Sequence, residues 1–341
     1  MTTEQSDLLE KQSDLLEKQE GGPAFDPDGP LIVASVSGGK DSTAMALHLL
    51  EQGYRCRFVF ADTGWEDRQT YDYITDVLEP RLGKIERVRC EVSLDEKQEA
   101  VARHFEERLG HHSAMVRSCI KKRIFPSRMV RWCTFNLKVD PIKRYIRSIE
   151  EDKVNAVGVR AAESRARSRL PAVEDSKSFK CPVWRPILSW KTQDVIDIHS
   201  RHGLRPNPKY LQGAERVGCW PCVYARKSEI RRFGMDDERV SLLRDLEVAI
   251  TRLQDADRKE KGLHEIPPNG WFQSRNQYVT DETGRKFKDG TRWPIDKAVE
   301  WSRTSRGGRQ FELFATTVEE SGCVQWGLCD RGLVNDDQEE P

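Results

Sequence analysis

A short glycine-containing segment has the residues of a phosphate-binding loop. The hexapeptide SGGKDS at 37–42 lies between an apolar run and the helix-like DSTAMALHLLEQG. Glycines let the backbone turn sharply toward an anion, and the amides and dipole of the following helix favour negative charge there. A lysine side chain at this point would contact phosphates directly. The residues predicted to bind phosphate are Ser37, Gly38, Gly39, Lys40 and Ser42.

A C-x-x-C turn is the second group of residues that can carry chemistry. Cys219 and Cys222 have the spacing that places two thiolates on one metal. The chain has nine cysteines and lacks the layout of an export signal, which argues against a disulfide framework. We therefore expect thiol or metal chemistry at this turn.

Alternating elements must position these residues. Four apolar runs are separated by helix-like segments, and they begin at Leu31, Cys56, Lys84 and Val154. This pattern predicts an α/β fold in which a parallel sheet is covered by helices on both faces. Such sheets bind ligands beyond the carboxyl ends of their strands. The motifs at 37–42, 62–64 and 160–167 follow three of the runs and are expected at that edge.

Changes in composition and sequence pattern along the chain predict four parts. Residues 1–28 hold the heptad QSDLLEK twice, too few heptads for a stable coiled coil, and are expected to be a mobile tail. Residues 29–233 form the predicted nucleotide-binding domain. Residues 234–330 are expected to be a smaller extension of helices and loops that contains cysteines, with helices at 236–261 and 294–302. Residues 331–341 are acidic and are expected to be a tail.

Overall charge indicates no polyanion partner, because Lys plus Arg and Asp plus Glu number 56 each. Residues 117–147 nevertheless carry ten basic side chains against the single acid Asp140. This stretch is interpreted either as a phosphate-binding surface for DNA or tRNA or as a solvated helix face. No apolar run is long enough for a membrane span, so a cytoplasmic protein without a membrane partner is expected.

Several motifs in one order resemble a known family. The segments DTG at 62–64, RWCT at 131–134 and GVR at 158–160 follow SGGKDS. Together they resemble the PP-loop ATP pyrophosphatases, and among them the phosphoadenylylsulfate (PAPS) reductase branch, from about Leu31 to Phe233. The resemblance implies a Rossmann-like fold of the adenine nucleotide alpha hydrolase type. It also implies an enzyme that binds an adenine nucleotide.

The intact loop separates two reactions that this resemblance implies. Reductases of the branch have a degenerate loop without the lysine, whereas this chain keeps Lys40 and Asp41. It is similar in this respect to members that adenylylate a substrate with ATP, such as the sulfurtransferases of DNA phosphorothioation and the thiolases of tRNA. The leading hypothesis is ATP-dependent activation of a nucleic-acid or nucleotide acceptor for sulfur transfer. The sulfur donor would be a cysteine desulfurase or a thioredoxin-like protein.

The proposed nucleotide site extends beyond the loop. Lys40 and Mg²⁺ would offset charge on the pyrophosphate, and Asp41 or Asp62 would hold the metal; helix capping is the alternative for Asp62. Arginines after the fourth run would grip an oxyanion, with surface ion pairing as their alternative. The further predicted binding residues are Gly64, Arg160, Glu163 and Arg167.

A metal site is implied by the same resemblance. Cys133 would join Cys219 and Cys222 around a [4Fe-4S] cluster, but Trp132 stands where related reductases have the first of two adjacent cysteines. Cys119 is the leading candidate for the fourth ligand. Other candidates are Cys181, Cys323 and Cys329. Zn²⁺ is the alternative metal, because the same thiols suit a structural zinc site.

Two other functions remain open. A PAPS or adenylylsulfate reductase would use Cys329, near the C-terminus, to attack the sulfonucleotide, with PAPS in place of ATP as the substrate. A non-catalytic nucleotide sensor in a defence or DNA-modification complex would bind ATP without releasing pyrophosphate. The sequence is compatible with a homo-oligomer and does not determine the oligomeric state.

Overall fold

The computed structural model describes residues 24–263, 269–273, 278–280, 284, 286–288 and 292–304. The N-terminal repeat, the acidic segment 331–341, Cys323 and Cys329 lie outside the described residues. No helix in the described part of the chain is long and apolar enough to cross a membrane.

A six-stranded sheet forms the centre of the fold, in the order β3-β2-β1-β4-β6-β5. Its strands are β1 (Leu31–Ser35), β2 (Cys56–Ala61), β3 (Ile85–Val88), β4 (Lys153–Val157), β5 (Val173–Ser176) and β6 (Cys181–Trp184). Only β5 runs antiparallel to its neighbour in this sheet. The predicted α/β fold with a parallel sheet is therefore confirmed. The four predicted strands are β1 to β4, and burial of both faces explains the apolar runs of β1, β2 and β4.

Helices connect the strands and continue after them. They are α1 (Lys40–Glu51), α2 (Arg68–Asp72), α3 (Glu79–Leu82), α4 (Glu96–Leu109), α5 (Ala114–Lys122), α6 (Trp132–Thr134), α7 (Asp140–Ser148), α8 (Thr192–Arg201), α9 (Pro208–Leu211), α10 (Lys227–Phe233), α11 (Asp237–Glu260) and α12 (Ile295–Ser302). The π-helical turns Tyr73–Leu78 and Phe135–Val139 follow α2 and α6. Two short antiparallel pairs join β7 (Phe272–Gln273) to β10 (Arg292–Trp293) and β8 (Tyr278–Thr280) to β9 (Lys286–Lys288). The helices predicted at 236–261 and 294–302 correspond to α11 and α12.

Two large apolar cores hold these elements together. The first lies between the sheet and helices α1 and α8, around Ile32, Leu47 and Ile198. The second is built from α4, α5, α10, α11 and α12 around two stacked indoles, Trp65 and Trp271. Because Trp65 follows β2 directly, this second core joins the helical C-terminal part to the carboxyl edge of the sheet.

A buried carboxylate connects the segments of the second core. Glu247 on α11 is 5% exposed, and its two oxygens accept the backbone N–H groups of Trp271 and Ile295 at 2.8 and 2.9 Å. These donors favour the carboxylate, but burial outweighs them and raises the pKa of Glu247 to about 7. The Glu247 side chain therefore links α11 to the backbone at Trp271 and at Ile295, and the strength of these links depends on whether Glu247 is protonated.

We expect Glu247 to make stability fall as the pH rises. Its pKa is higher in the folded protein, about 7, than the ordinary value of 4.5, so the native state binds more protons between these two values. The free energy of unfolding should therefore decline across that window, by at most about 3 kcal/mol from this group, and level off above it. Urea unfolding from acid to neutral pH would measure the decline, which should be smaller in Glu247→Gln; parallel profiles for the two proteins would contradict the assignment.

Candidate functional site

The phosphate loop (residues 37–42) connects β1 to α1 at the carboxyl edge of the sheet. Its hydroxyls fix its shape: Ser42 Oγ donates to the Gly39 carbonyl at 3.0 Å and accepts the Ser37 N–H at 3.1 Å. Gly38 has φ +70°, and a Cβ there would lie 3.0 Å from the methyl group of Thr70. The hydroxyl of Ser42 therefore holds the loop in shape, and the positive φ and the close contact at Gly38 require glycine there.

An ion network surrounds the start of α1. Arg160, 4% exposed, places its Nε 2.5 Å from Asp41 Oδ1, while Lys40 Nζ lies 3.5 Å from Asp41 Oδ2 and 3.5 Å from the Glu215 carbonyl oxygen. Two cations therefore share one carboxylate, which leaves net positive charge beside the loop. Such an excess suits a bound phosphate.

Glu163 organises the loop that carries Arg160. Its Oε2 accepts the Arg160 backbone N–H at 3.1 Å, and it forms an ion pair with Arg167. Arg167 therefore makes the surface pairing that was the alternative to anion binding, whereas Arg160 pairs with the phosphate loop instead. Of the two arginines, Arg160 is the one brought to the predicted site.

Gly158 allows β4 to approach the phosphate loop closely. A Cβ at this position would lie 2.8 Å from the Cα of Ser42 and 3.0 Å from the carbonyl oxygen of Asp41. Both neighbours are backbone atoms, so the loop itself would have to move.

We expect Gly158→Ala to weaken Mg-ATP binding by at least about tenfold, because a sub-ångström shift misplaces the loop amides. Isothermal titration calorimetry would measure the affinity. The control is Gly53→Ala after α1, where φ is +76° and no atom lies within 4 Å of the added Cβ. That variant should lose stability through backbone strain and keep its affinity, so equal affinity losses in both variants would contradict the expectation.

The Asp62 side chain stabilises the loop after β2. It is 2% exposed; Oδ1 accepts the Gly64 N–H at 2.9 Å and the Tyr71 hydroxyl at 2.8 Å, while Oδ2 accepts Nε and Nη2 of Arg89 at 2.8 and 2.6 Å. It caps no helix, since Asp67 caps α2. Gly64 has φ +65°, and a Cβ there would lie 2.4 Å from the Cα of Ser113. Both residues thus shape this loop, and of the two aspartates only Asp41 belongs to the phosphate loop.

A bridging segment (residues 207–217) covers the phosphate loop. Asn207 Nδ2 donates to the Gly38 carbonyl at 3.2 Å, and the Lys40 backbone N–H donates to the Tyr210 hydroxyl at 3.1 Å. Lys209 pairs with Asp67 at 2.7 Å and lies 3.7 Å from the centroid of the Trp220 ring. The segment therefore contacts the phosphate loop at one end and the cysteine loop (residues 218–222) at the other.

The cysteine loop is joined to the chain after β2. Cys219 pairs with Glu66 in an isolated antiparallel bridge, and the Trp220 N–H donates to the Trp65 carbonyl at 2.8 Å. Cys219 Sγ lies 3.8 Å from Glu66 Oε1, which also lies 3.4 Å from Lys138 Nζ. The first cysteine of the turn thus faces a buried carboxylate and an ammonium group.

Two cations, Lys138 and Arg216, and the carboxylate of Glu66 lie close to the three predicted cysteine ligands. Burial raises the pKa of Cys219 to about 12, against the opposing charge of Lys138. Burial, followed by the charge of Cys222, raises the pKa of Cys133. Burial opposes the charge on Lys138, yet Cys219 and Glu66 raise its pKa overall. Cys222 Sγ accepts Nη2 of Arg216 at 3.1 Å and the Tyr224 N–H at 3.4 Å. The three thiols therefore share one neighbourhood, in which burial favours the neutral form of Cys133 and Cys219 and the charge of Lys138 opposes it in part.

The remaining cysteine candidates lie elsewhere. Cys119 is fully buried on α5, in the second core against which Cys133 and Cys219 pack. Cys181 begins β6 at the amino edge of the sheet and belongs to a separate small core with Leu31 and Ile146. Among the described residues, no three His, Cys, Asp or Glu side chains are grouped so that they could hold a metal ion.

A pocket between the bridging segment and the cysteine loop contains three cations and two carboxylates, and Lys209 pairs with Asp67 and Arg216 with Glu229. Its lining includes Asp67, Lys209, Arg216, Cys219, Cys222, Glu229 and Arg232. Both terminal nitrogens of Arg232 are buried and have no hydrogen-bond partner in the described part of the chain, and burial lowers the pKa of this arginine. Buried donors without a partner are costly, so this pocket is suited to an oxyanion.

Sequence reasoning missed several residues of this site. The bridging segment and α10 lie outside the quoted family motifs. They bring four residues to the site: Lys209, Tyr210, Arg216 and Arg232. The signal was the concentration of basic residues on both sides of the C-x-x-C turn. Their convergence depends on the path of the chain between residues 203 and 233.

The basic stretch at 117–147 is partly neutralised by folding. Arg117 pairs with Glu99 and Glu106 at 2.6 and 2.8 Å, Arg123 with Asp257 at 2.7 Å, and Lys138 with Glu66. These acids all lie outside the basic stretch in the sequence, so the composition of the stretch alone overstated its free positive charge. Exposed cations and apolar groups remain around residues 128–135.

The chain was compared with known proteins. The family model described as phosphoadenosine phosphosulfate reductase domain matches residues 31–225. An uncharacterized 37.8 kDa protein of Escherichia phage 186 is 32% identical over 332 residues, covering 87% of this chain and 96% of the phage protein. The adenosine 5'-phosphosulfate reductase of Salinibacter ruber is 24% identical over 212 residues, covering 58% of this chain and 75% of that protein. The PAPS reductase of Candida auris, in a phosphate complex, aligns with a TM-score of 0.42 at 17% identity, covering 65% of this chain and 97% of that chain.

The sheet, the phosphate loop and the adjacent cysteine loop define an α/β protein with a site for an anionic ligand at the carboxyl edge of its strands. The family match spans more than half of the chain. The chain therefore belongs to the phosphoadenosine phosphosulfate reductase domain family, as its motifs predicted. Members of this family are enzymes with a nucleotide substrate.

Proposed function

We propose that this protein uses ATP to adenylylate a nucleic-acid or nucleotide acceptor and then directs sulfur to the activated position. The observation that carries the proposal is the bridging segment, which contacts the phosphate loop through Asn207 and Tyr210 and the cysteine loop through Lys209. The proposed site for nucleotide phosphates and the proposed site for sulfur chemistry are thereby adjacent. Adjacent sites suit a reaction in which a nucleotide activates the group that sulfur then attacks.

The phosphate loop is suited to pyrophosphate release. An acceptor oxygen would attack the α-phosphorus of ATP, and the bond to the bridging oxygen would break as pyrophosphate leaves. Lys40, whose ammonium group lies beside the loop, would offset the developing charge. Asp41, adjacent to it, would bind Mg²⁺ on releasing one of its two cation partners. A sulfur nucleophile would then displace AMP from the acceptor.

The cysteine loop supplies the second half of the proposal. Thiolates are soft ligands that suit iron–sulfur clusters and zinc, and Cys133, Cys219 and Cys222 supply this donor type beside Lys138 and Arg216. Because the described residues do not group three such side chains as a metal site, the three thiols would have to come together on binding the group. We propose that these three cysteines hold a [4Fe-4S] cluster, with Cys119 as the candidate fourth ligand and Zn²⁺ as the alternative. When bound, the cluster would carry sulfide for transfer. Lys138 and Arg216 would hold the surrounding thiolates in place.

An aromatic and basic surface beside the cysteine loop is suited to the acceptor. Met129, Val130 and Phe135 are 85%, 52% and 54% exposed. Arg131 lies 4.9 Å from the centroid of the Tyr224 ring, and Lys143 lies 5.2 Å from that of Phe135. The Phe135 ring is exposed and the Tyr224 ring partly so, and such rings accompanied by cations can stack on unpaired bases and contact their phosphates. We propose that this surface (residues 129–135 with Tyr224) binds a single-stranded or unstacked nucleic acid.

Phe135→Ala should weaken binding of a fluorescent single-stranded oligonucleotide by about tenfold, because it removes one stacking ring. Arg131→Ala should weaken binding and reduce the slope of log Kd against log salt by about one, as expected for the loss of one phosphate contact. Arg57→Ala is the control, because Arg57 lies on β2 near the opposite edge of the sheet and pairs with Glu151. Fluorescence anisotropy would measure the three variants; equal affinities would rule out this surface for nucleic acid and favour a protein partner instead.

The reductase alternative also has an observation in its favour. The pocket lined by Arg232, whose terminal nitrogens have no hydrogen-bond partner among the described residues, would hold a sulfate group as well as a phosphate. Proteins named adenosine 5'-phosphosulfate reductase are also among the relatives of this chain. In that reaction a cysteine thiolate such as Cys329 would attack sulfur, and AMP or its 3'-phosphate would leave.

Product analysis distinguishes the two reactions. Anaerobic protein is incubated with Mg-ATP, sulfide and oligonucleotide, and separately with PAPS and a thiol. The proposed function predicts pyrophosphate in proportion to sulfur incorporated. Formation of sulfite from PAPS, without release of pyrophosphate from ATP, would contradict the proposed function and identify the protein as a reductase. Stoichiometric ATP binding with neither product, including when a cysteine desulfurase is added, would favour a nucleotide sensor.

A further inference from the structure

The first turn of α11 contacts the cysteine loop, although α11 lies beyond the 31–225 segment that the family model matches. Asp236 caps this helix: its Oδ1 accepts the Arg239 N–H at 3.0 Å. The other oxygen of the same carboxylate accepts the indole N–H of Trp220 at 3.1 Å. One side chain therefore starts the helix and fixes the ring that lies between Cys219 and Cys222 in sequence.

Arg239 ties together the two backbone segments that meet at Cys219. Its Nε donates to the Trp220 carbonyl and its Nη2 to the Glu66 carbonyl, both at 3.3 Å. Its guanidinium carbon lies 4.6 Å from the centroid of the Trp65 ring. The planar fork of an arginine can make these contacts at once, whereas the single ammonium group of a lysine cannot.

The segments joined in this way carry the groups that face Cys219. Glu66 and Cys219 pair through an isolated bridge, and Trp65 and Trp220 through one backbone hydrogen bond. A pairing this short has little stability of its own, because an isolated pair of strands is marginal in water. Arg239 adds hydrogen bonds to the carbonyls of both segments, and among the described residues none of its side-chain hydrogen bonds reaches a sulfur atom.

We propose that Arg239 is a positioning residue that holds the cysteine loop in register with Glu66, and thereby sets the geometry and solvent access of Cys219. The first turn of α11 then positions residues of the proposed sulfur site, in addition to packing against the second core. Loss of Arg239 would leave the phosphate loop intact, because that loop is fixed by Ser37, Ser42 and Asn207. The two sites should therefore respond differently to the same substitution.

The test measures alkylation of individual cysteines in metal-free, full-length protein. Iodoacetamide labelling followed by peptide mass spectrometry gives a rate for each thiol. In Arg239→Met the rate at Cys219 should rise about tenfold as local opening becomes more frequent, while Cys56 keeps its rate and the Kd for Mg-ATP stays within about twofold. Hydrogen exchange at the Trp220 amide should accelerate in parallel. Arg239→Lys should fall between the wild type and Arg239→Met.

Arg252→Met is the matched control, because Arg252 is an exposed arginine on the same helix. An unchanged rate at Cys219 in folded Arg239→Met, or an equal rise in Arg252→Met, would overturn the proposal. Should Arg239→Met not fold, Asp236→Asn gives a second test. Asparagine keeps the helix cap but removes the carboxylate that accepts the Trp220 indole, so labelling of Cys219 should still increase, and an unchanged rate would again overturn the proposal.

Discussion

Replacing Lys40 with alanine is expected to weaken Mg-ATP binding and to lower pyrophosphate release by about 100-fold or more. The expectation rests on position: Lys40 is the first residue of α1, and its ammonium group lies beside the phosphate loop, within 3.5 Å of Asp41. Without it, Arg160 and Asp41 neutralise each other, and the loop loses its excess positive charge. Titration calorimetry and a coupled pyrophosphate assay would measure the two effects.

The control for this substitution is Lys84→Ala. Lys84 has a side chain that is 79% exposed and pairs with Glu86 at the start of β3, so its loss removes one positive charge without touching the site. Lys84→Ala should retain wild-type affinity and turnover. If Lys40→Ala behaves in the same way as Lys84→Ala, the loop does not bind the nucleotide as proposed.

Replacing Cys219 with alanine is expected to reduce bound iron to about a tenth of the wild-type content and to abolish sulfur transfer. Cys219 is central to the cysteine group, since it faces Glu66 and Lys138 and is electrostatically linked to Cys133 and Cys222. The affinity for Mg-ATP should change little, because the phosphate loop touches the bridging segment and not Cys219. Iron would be measured on anaerobically prepared protein, together with the visible absorption spectrum.

A second thiol substitution provides the comparison. Cys56 begins β2, near the amino edge of the sheet, and is half-buried against the first core. Cys56→Ala should lower stability slightly and retain iron. Equal iron in wild type and Cys219→Ala would remove Cys219 from the ligand set; bound zinc in place of iron in the wild type would favour the structural zinc site.

The sequence allowed prediction of the elements whose pattern is local. Strands β1, β2 and β4 were recognisable because they are mostly apolar and buried on both faces, whereas β3 has two charged residues of four and only Ile85 fully buried. Helix α11 was recognisable from its length and charge pattern. Strand β5, VEDS, was not predicted, because it is an exposed edge strand with three polar residues of four and has no apolar run to reveal it.

The candidate site was only partly predictable, for a different physical reason. Glycines and a lysine between a strand and a helix identify a phosphate loop from local geometry alone. Asp62 shows the limit: a carboxylate after a strand suggested metal binding, but its partners include Arg89, 27 residues away. Tyr210, Arg232 and Arg239 contact the site only through long-range folding, and no local spacing marks them.

The most direct test of the central claim is equilibrium binding of Mg-ATP and of PAPS to the same anaerobic preparation, with Lys40→Ala measured beside the wild type. The proposed function predicts tighter binding of Mg-ATP than of PAPS, and loss of that preference in Lys40→Ala. Tighter binding of PAPS that is unaffected by Lys40→Ala would contradict it, and would assign the phosphate loop a structural role in a reductase.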